Sequence, residues 1–204
     1  MPSAEKVVLC YGDSNTYGWI PVEGGRFPRE VRWPGVLASE LGAGWHVIEE
    51  GLGGRTTIFD DPILPGRNGK AYLEPCLLSH EPLDAAVLAL GTNDLKVRFA
   101  ASAADIARGV ALLAETALAF TPNVLVLGLP TLGPLDDRND ELAGAHEKAE
   151  RMRPHLRAWA AAAGFELLEL HELVSFTEED GVHLDAAGHR VIGEAVAQRV
   201  ASMF

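Results

Sequence analysis

The sequence predicts an α/β fold, a three-layer α/β/α sandwich around a five-stranded parallel sheet. Short apolar runs alternate with longer segments of helical periodicity along the chain, which is typical of parallel strands joined by helical crossovers. The apolar runs are also continuous, as in residues 85–90 (AAVLAL), which indicates strands covered on both faces. The strands are predicted at 6–11, 46–49, 85–90, 123–129 and 165–170.

Helical segments separate the predicted strands. In the segment 102–120, the side chains of Ile106, Val110 and Leu113 fall on one face, and Ser102 with Asp105 resembles a capping pair. Pro154 should kink or divide the long segment 140–163, because proline cannot donate a backbone hydrogen bond. The four predicted helices are 33–41, 102–120, 140–163 and 185–200, the last with Asp185 as a plausible N-cap.

Length and charge limit the classes of protein that fit. The 204 residues predict one domain, 1–204, and the 17 Lys plus Arg against 29 Asp plus Glu give a net charge of −12. An acidic surface repels phosphate backbones, so we expect no nucleic-acid partner. No apolar run approaches the roughly 20 residues that span a bilayer. We therefore expect a cytoplasmic protein with no membrane partner.

Small polar residues follow the predicted strands at the points where parallel sheets form their sites. The first strand leads into 12–18 (GDSNTYG), the second into 51–56 (GLGGRT) and the third into 91–94 (GTND). Near the C-terminus, 180–183 (DGVH) places a carboxylate three residues before an imidazole. We expect these four segments to meet at one edge of the sheet.

The side chains in these segments suit nucleophilic catalysis. The hydroxyl of Ser14 needs a base, which His183 can supply, while Asp180 can accept from the other ring nitrogen. The negative charge that develops on an attacked carbonyl needs hydrogen-bond donors. The candidates are the backbone N–H of Ser14, the backbone N–H of Gly54 and the amide of Asn93. The adjacent Gly53 is an alternative to Gly54.

These motifs resemble the SGNH family of GDSL-type hydrolases. The family carries a Gly-Asp-Ser block, a glycine block, a Gly-x-Asn-Asp block and an Asp-x-x-His block, and all four occur here in order. A closer resemblance is to the bacterial arylesterase and acyltransferase subgroup, through residues 9–19 (LCYGDSNTYGW) and 90–96 (LGTNDLK). The resemblance implies a flavodoxin-like SGNH fold, with Ser14, Asp180 and His183 catalytic and with Gly54 and Asn93 binding the oxyanion.

The resemblance implies a serine esterase that hydrolyses short-chain acyl or aryl esters, with acyl transfer to alcohols or peroxide in some members. It also implies a homo-oligomer, with a small-molecule ester as substrate. A carbohydrate O-acetyl esterase with the same catalytic residues is one alternative, and an inactive binding or scaffold protein on the same fold is another. We expect no cofactor and no metal.

Other residues receive structural interpretations. We expect Asp13 and Asp94 to hold their loops and Cys10 to be a small buried side chain. The segments 20–31, 60–72 and 130–139 are predicted to be long loops. Solvated surface positions are the default for the six remaining histidines, His46, His80, His146, His155, His171 and His189.

Overall fold

Five parallel strands form one sheet, in a computed structural model that describes residues 5–136 and 139–204. Every neighbouring pair is parallel, and the order β2-β1-β3-β4-β5 is that of flavodoxin-like folds. The order reverses between β1 and β3, so ligands are expected beyond the carboxyl ends of these two strands. The strands are β1 (Lys6–Gly12), β2 (Trp45–Gly51), β3 (Ala85–Ala89), β4 (Val124–Leu127) and β5 (Glu166–Leu168).

Helices flank this sheet, which confirms the predicted three-layer fold. The helices are α1 (Ser14–Tyr17), α2 (Trp33–Leu41), α3 (Gly69–His80), α4 (Ala103–Leu118), α5 (Asn139–Leu142), α6 (Ala145–Ala163) and α7 (Ala186–Ala201). Helix α2 packs against α7, while α4 packs against both α3 and α6. At the start of α4, Ser102 and Asp105 form the predicted capping box, each side chain accepting from the other's backbone N–H.

The inner strand β1 has an apolar sequence throughout because both of its faces are covered. Val8, Leu9, Cys10 and Tyr11 are all fully buried, although alternate side chains point to opposite faces of a sheet. Each large apolar side chain buried in this way contributes about 1.5–3 kcal/mol. Cys10 is the small buried residue that was predicted. Burial of these side chains holds β1 within the core, and the position of its carboxyl end is fixed as a result.

Helix α3 begins inside a segment that the sequence analysis predicted to be a loop. The prediction for 60–72 was wrong from Gly69 onward, because the helix runs from Gly69 to His80. Glycine at its start and Pro75 in its interior both weaken the helical signal. The helix forms because Asn68 caps it by accepting from Ala71 N–H, and because Leu73 and Leu77 are buried.

The predicted helix 140–163 is divided at Gly144 and not at Pro154. Gly144 has φ +73°, in the left-handed region, and separates α5 from α6. Helix α6 continues through Pro154. Pro154 has no N–H to donate to the carbonyl of Glu150, but both residues are exposed, so that carbonyl can bind water instead. Residues 137 and 138 of the predicted loop 130–139 lie outside the described residues.

Within 5–136 and 139–204, no helix has both the length and the apolar character needed to cross a bilayer.

Candidate active site

The loop after β1 presents Ser14 at the first position of α1. Asp13 caps this short helix by accepting from Asn15 N–H over 2.9 Å, which is the structural role predicted for Asp13. Gly12 is required at the end of β1, because a Cβ there would lie 2.0 Å from Thr16 Oγ1 and 2.8 Å from Ala89 O. The chain can therefore turn sharply at the switch point of the sheet and leave the Ser14 hydroxyl accessible.

A continuous chain of hydrogen bonds links Ser14, His183 and Asp180. Ser14 Oγ lies 2.9 Å from His183 Nε2, and His183 Nδ1 lies 2.6 Å from Asp180 Oδ2. Asp180 also accepts from the N–H groups of Val182 and His183, over 3.1 and 3.0 Å. The structure thus brings together three side chains that the sequence predicted to meet.

Hydrogen bonds to Asp180 keep its carboxylate ionised. Partial burial by itself would raise the pKa of Asp180, but hydrogen bonds from the imidazole of His183 and from two backbone N–H groups outweigh burial. The result is a pKa of about 2 for Asp180. An ionised carboxylate at Nδ1 favours the imidazole tautomer that carries its proton there, which leaves Nε2 free to accept from Ser14.

Gly54 and Asn93 lie beside Ser14 in the same cavity. Gly54 has φ +78°, a conformation that other residues adopt only with strain, whereas Gly53 does not share it. One hydrogen of the Asn93 amide is donated to Arg55 O over 3.1 Å, which fixes the orientation of this side chain. Both predicted oxyanion residues therefore line the cavity, and so does Gly53.

Buried polar contacts join the loops that carry these residues. Asp94 is fully buried and accepts from the backbone N–H of Thr57, which is the structural role predicted for Asp94. Arg55 donates to Gly12 O over 2.9 Å and to Glu50 O. The guanidinium of Arg55 also stacks 4.0 Å from the ring centre of Tyr11. The loop after β2 is thus fixed to the ends of both β1 and β3.

Arg55 was not among the residues predicted from the sequence to organise the site. The signal available in the sequence was an arginine within a glycine-rich loop after a strand, where its guanidinium can donate to nearby backbone carbonyls. The predicted surface position of His189 was also wrong, because α7 buries this side chain completely against Trp33 and Phe27. Burial lowers the pKa of His189 to about 4.

The cavity above Ser14, here called the Ser14 cavity, has a volume of about 280 Å³. Trp19 and Leu64 form its apolar wall, and the Trp19 ring lies 6.3 Å from that of His183. The lining also includes an ion pair, in which Lys96 Nζ lies 3.3 Å from Glu141 Oε1. Its lining residues are Ser14, Trp19, Gly53, Gly54, Leu64, Thr92, Asn93, Lys96, Glu141, Leu142, Val182 and His183.

One cluster of side chains with metal-binding chemistry lies elsewhere among the described residues. Potential ligand atoms of Glu50, Cys76 and His80 all lie within 4.8 Å of one another. Glu50 and His80 already pair directly over 3.1 Å, and burial raises the pKa of the Cys76 thiol to about 12. None of the three residues lines the Ser14 cavity.

Comparisons with known proteins relate this chain to one family. The model of the GDSL-like lipase/acylhydrolase family matches residues 10–191. The chain is 38% identical to an aryl esterase of M. smegmatis, with a TM-score of 0.93 over 98% of this chain and 100% of that one. No curated protein gives a significant match.

Carbohydrate acetylesterases are similar to the same degree. One from Sinorhizobium meliloti is 38% identical, with a TM-score of 0.94 over 98% of this chain and 100% of the other. A carbohydrate acetylesterase family member, also from Sinorhizobium meliloti, is 34% identical, with a TM-score of 0.91 over 97% and 98%. The chain therefore belongs to the GDSL-like lipase/acylhydrolase family and is an esterase of the SGNH type.

Proposed function

We propose that the chain is a serine esterase that hydrolyses short-chain acyl or aryl esters through an acyl-enzyme on Ser14. The observation that carries this proposal is the hydrogen-bonded chain from Asp180 through His183 to Ser14, with distances of 2.6 and 2.9 Å. In this arrangement a base is in contact with the nucleophile, and a carboxylate orients the base. All of these groups are supplied by the chain itself.

Acylation begins when Ser14 Oγ attacks the carbonyl carbon of the ester. The hydroxyl proton passes to His183 Nε2 as the new C–O bond forms, and Asp180 stabilises the resulting imidazolium. When the tetrahedral intermediate collapses, the bond to the leaving alcohol breaks, and His183 returns the proton to the leaving oxygen. The alcohol departs and the acyl group remains on Ser14.

The tetrahedral intermediate carries a negative oxygen that needs fixed donors. The backbone N–H groups of Ser14 and Gly54 and the amide of Asn93 are proposed to supply them. The bond from Asn93 to Arg55 O and the left-handed backbone at Gly54 support this assignment, because both orient the donors before the substrate arrives. One such donor is typically worth about 3–4 kcal/mol in the transition state.

Deacylation repeats these steps with water as the nucleophile, and a carboxylic acid leaves. Acyl transfer to an alcohol or to peroxide would require exclusion of water from the acyl-enzyme. Trp19 and Leu64 at the wall of the Ser14 cavity are 38% and 39% exposed, which favours entry of water. Hydrolysis is therefore the main outcome that we propose, with transfer at high acceptor concentrations.

The size of the Ser14 cavity supports a small substrate. At about 280 Å³ it lies just below the roughly 300–1,000 Å³ of pockets that enclose drug-sized ligands. An acetyl or propionyl ester fits such a volume together with a small alcohol or phenol. Long acyl chains would extend into solvent and gain little from burial.

A carbohydrate O-acetyl ester is the second candidate substrate. It is favoured by the ion pair of Lys96 and Glu141, whose charged atoms can bind sugar hydroxyls, and by the partly exposed face of Trp19, which can pack on a sugar ring. The two similar proteins from Sinorhizobium meliloti described as carbohydrate acetylesterases add support.

A substrate panel tests both candidates. We expect turnover of p-nitrophenyl acetate, a fall in kcat/KM with acyl length, and labelling by a fluorophosphonate probe that Ser14→Ala abolishes. Ser79→Ala is the matched control, because this hydroxyl only donates to Cys76 O on α3. Preference for acetylated xylan would select the second candidate. If the probe fails to label the wild-type protein, the inactive scaffold is favoured. If Ser14→Ala still turns over substrate, the assignment of Ser14 as nucleophile is rejected.

A further inference from the structure

The side chain of Asn15 binds the backbone on both sides of His183. Its Nδ2 donates to Val182 O and its Oδ1 accepts from Leu184 N–H, each over 3.1 Å. Asn15 directly follows Ser14, so the short helix that presents the nucleophile also holds both peptide groups that flank the base. We infer that Asn15 is a positioning residue, which sets the approach of His183 Nε2 to Ser14 Oγ. This inference rests on the proposed function.

Within the described part of the chain, few hydrogen bonds join the segment that carries His183 to the segment that carries Ser14. Apart from the bond between Ser14 and His183, the two from the Asn15 amide are those that connect residues 180–184 to residues 12–18. The bonds from Asp180 to Val182 and His183 remain within the C-terminal segment and move with it. Without the Asn15 amide, only packing and the bond between Ser14 and His183 itself would hold this segment against α1.

The amide also has the right chemistry for this role. The contact requires one donor and one acceptor, and asparagine offers both on a short, uncharged side chain. Asn15 is only 9% exposed, so water cannot readily replace either bond. The backbone N–H of Asn15 donates to Asp13, which fixes the backbone from which the amide projects. Both ends of the contact are therefore anchored.

The expected consequence is kinetic. A displacement of about 1 Å between reacting groups can lower a rate by about 10²-fold. Proton transfer between Ser14 and His183 occurs in both acylation and deacylation, so misplacement slows both steps. Substrate binding in the Ser14 cavity does not involve Asn15, which does not line it. Loss of the amide should therefore lower kcat and leave KM nearly unchanged.

The test compares Asn15→Ala and Asn15→Ser with Asn123→Ala, wild type and Ser14→Ala. Asn123 is a matched control, because its amide donates to Asp84 O over 2.9 Å just before β4, at the amino ends of the strands and so away from Ser14. We expect both Asn15 variants to lose about 10- to 100-fold in kcat on p-nitrophenyl acetate and in the rate of fluorophosphonate labelling. KM should stay within twofold, and Asn123→Ala should match wild type in both rates.

The outcomes separate the two proposals. Values of kcat within twofold of wild type in both Asn15 variants overturn the positioning role. Losses that only follow the folded fraction, measured by circular dichroism, overturn it too, as does a rise in KM at constant kcat. Wild-type protein that neither hydrolyses the ester nor reacts with the probe instead refutes the proposed function, and the positioning role with it.

Discussion

Asp94 and Thr57 bind each other where neither side chain reaches water. The carboxylate of Asp94 accepts from the N–H of Thr57 over 3.0 Å and also from its hydroxyl, and both residues are fully buried. Burial raises the pKa of Asp94 to about 6, although the hydrogen bonds from Thr57 act in the opposite direction. This pair joins the loop of Gly54 to the loop of Asn93.

Replacement of Thr57 by valine should weaken this junction while keeping the shape of the side chain. We expect a loss of about 1–3 kcal/mol in the free energy of unfolding, because a buried carboxylate oxygen loses a donor. Urea denaturation measures it. Thr116→Val is the control, since that hydroxyl only donates to Leu112 O within α4. Equal losses in the two variants would show that the contact with Asp94 is not special.

His189 should make stability depend on pH in a defined window. Its folded-state pKa of about 4 lies below the unfolded value of 6.5, so it remains neutral in the folded protein while the unfolded chain takes up a proton. Stability is therefore fully present above pH 6.5 and is lost as the pH falls towards 4. The loss amounts to about 3 kcal/mol.

The measurement compares wild type with His189→Gln by urea denaturation between pH 4 and 7. The raised pKa of Asp94 acts in the opposite direction, because the ionised form is penalised as the pH rises from 3.8 towards 6. Asp94 is present in both proteins, so their difference isolates His189. The exposed His155, changed to Gln, is the control. A difference between wild type and His189→Gln that does not vary with pH would contradict the prediction.

Asn93→Ala should reduce kcat by about 10²–10³-fold, because the transition state loses one proposed oxyanion donor. KM should change little, since the donor matters most when charge has developed. Steady-state kinetics on p-nitrophenyl acetate measure both constants. Asn123→Ala removes an amide that donates to Asp84 O outside the Ser14 cavity, and it should retain kcat. Full activity of Asn93→Ala would remove this residue from the mechanism.

The resemblance to the arylesterase subgroup predicts a homo-oligomer, and we expect its interface to cover apolar side chains that the surface loops expose. Val22 and Ile63 are 76% and 67% exposed, although burying such side chains is favourable. Light scattering should therefore give a mass that is a multiple of the chain's own. Ile63→Lys should reduce that mass, whereas Gln198→Lys on the exposed side of α7 should not. A monomer at micromolar concentrations would contradict the expectation.

The inner strands β1, β3 and β4 were predictable because they are buried on both faces, whereas the edge strands β2 and β5 are only partly buried. A run such as 85–90 has no polar residue to interrupt it, as expected of a strand that is covered on both faces. The convergence of Ser14, Asn93 and His183 followed from the same reasoning, since parallel strands place their carboxyl ends at one edge. The catalytic roles of these residues remain a prediction.

Other features depend on contacts between residues distant in sequence, and the local pattern could not predict them. Helix α3 forms despite Gly69 and Pro75, because burial of Leu73 and Leu77 outweighs their poor helix propensity. The two bonds of the Asn15 amide involve residues more than 160 positions away. Only the folded chain shows that this side chain has partners on the C-terminal loop.

The separation of Ser14 and His183 along the chain also bears on biosynthesis. The hydroxyl and the imidazole are 169 residues apart, and the segment that contains His183 leads directly into α7. Under the proposed mechanism, a ribosome-bound chain would have no activated serine until translation had passed residue 183 and that segment had left the exit tunnel. Hydrolytic activity would then report that the chain had been made and folded through residue 183.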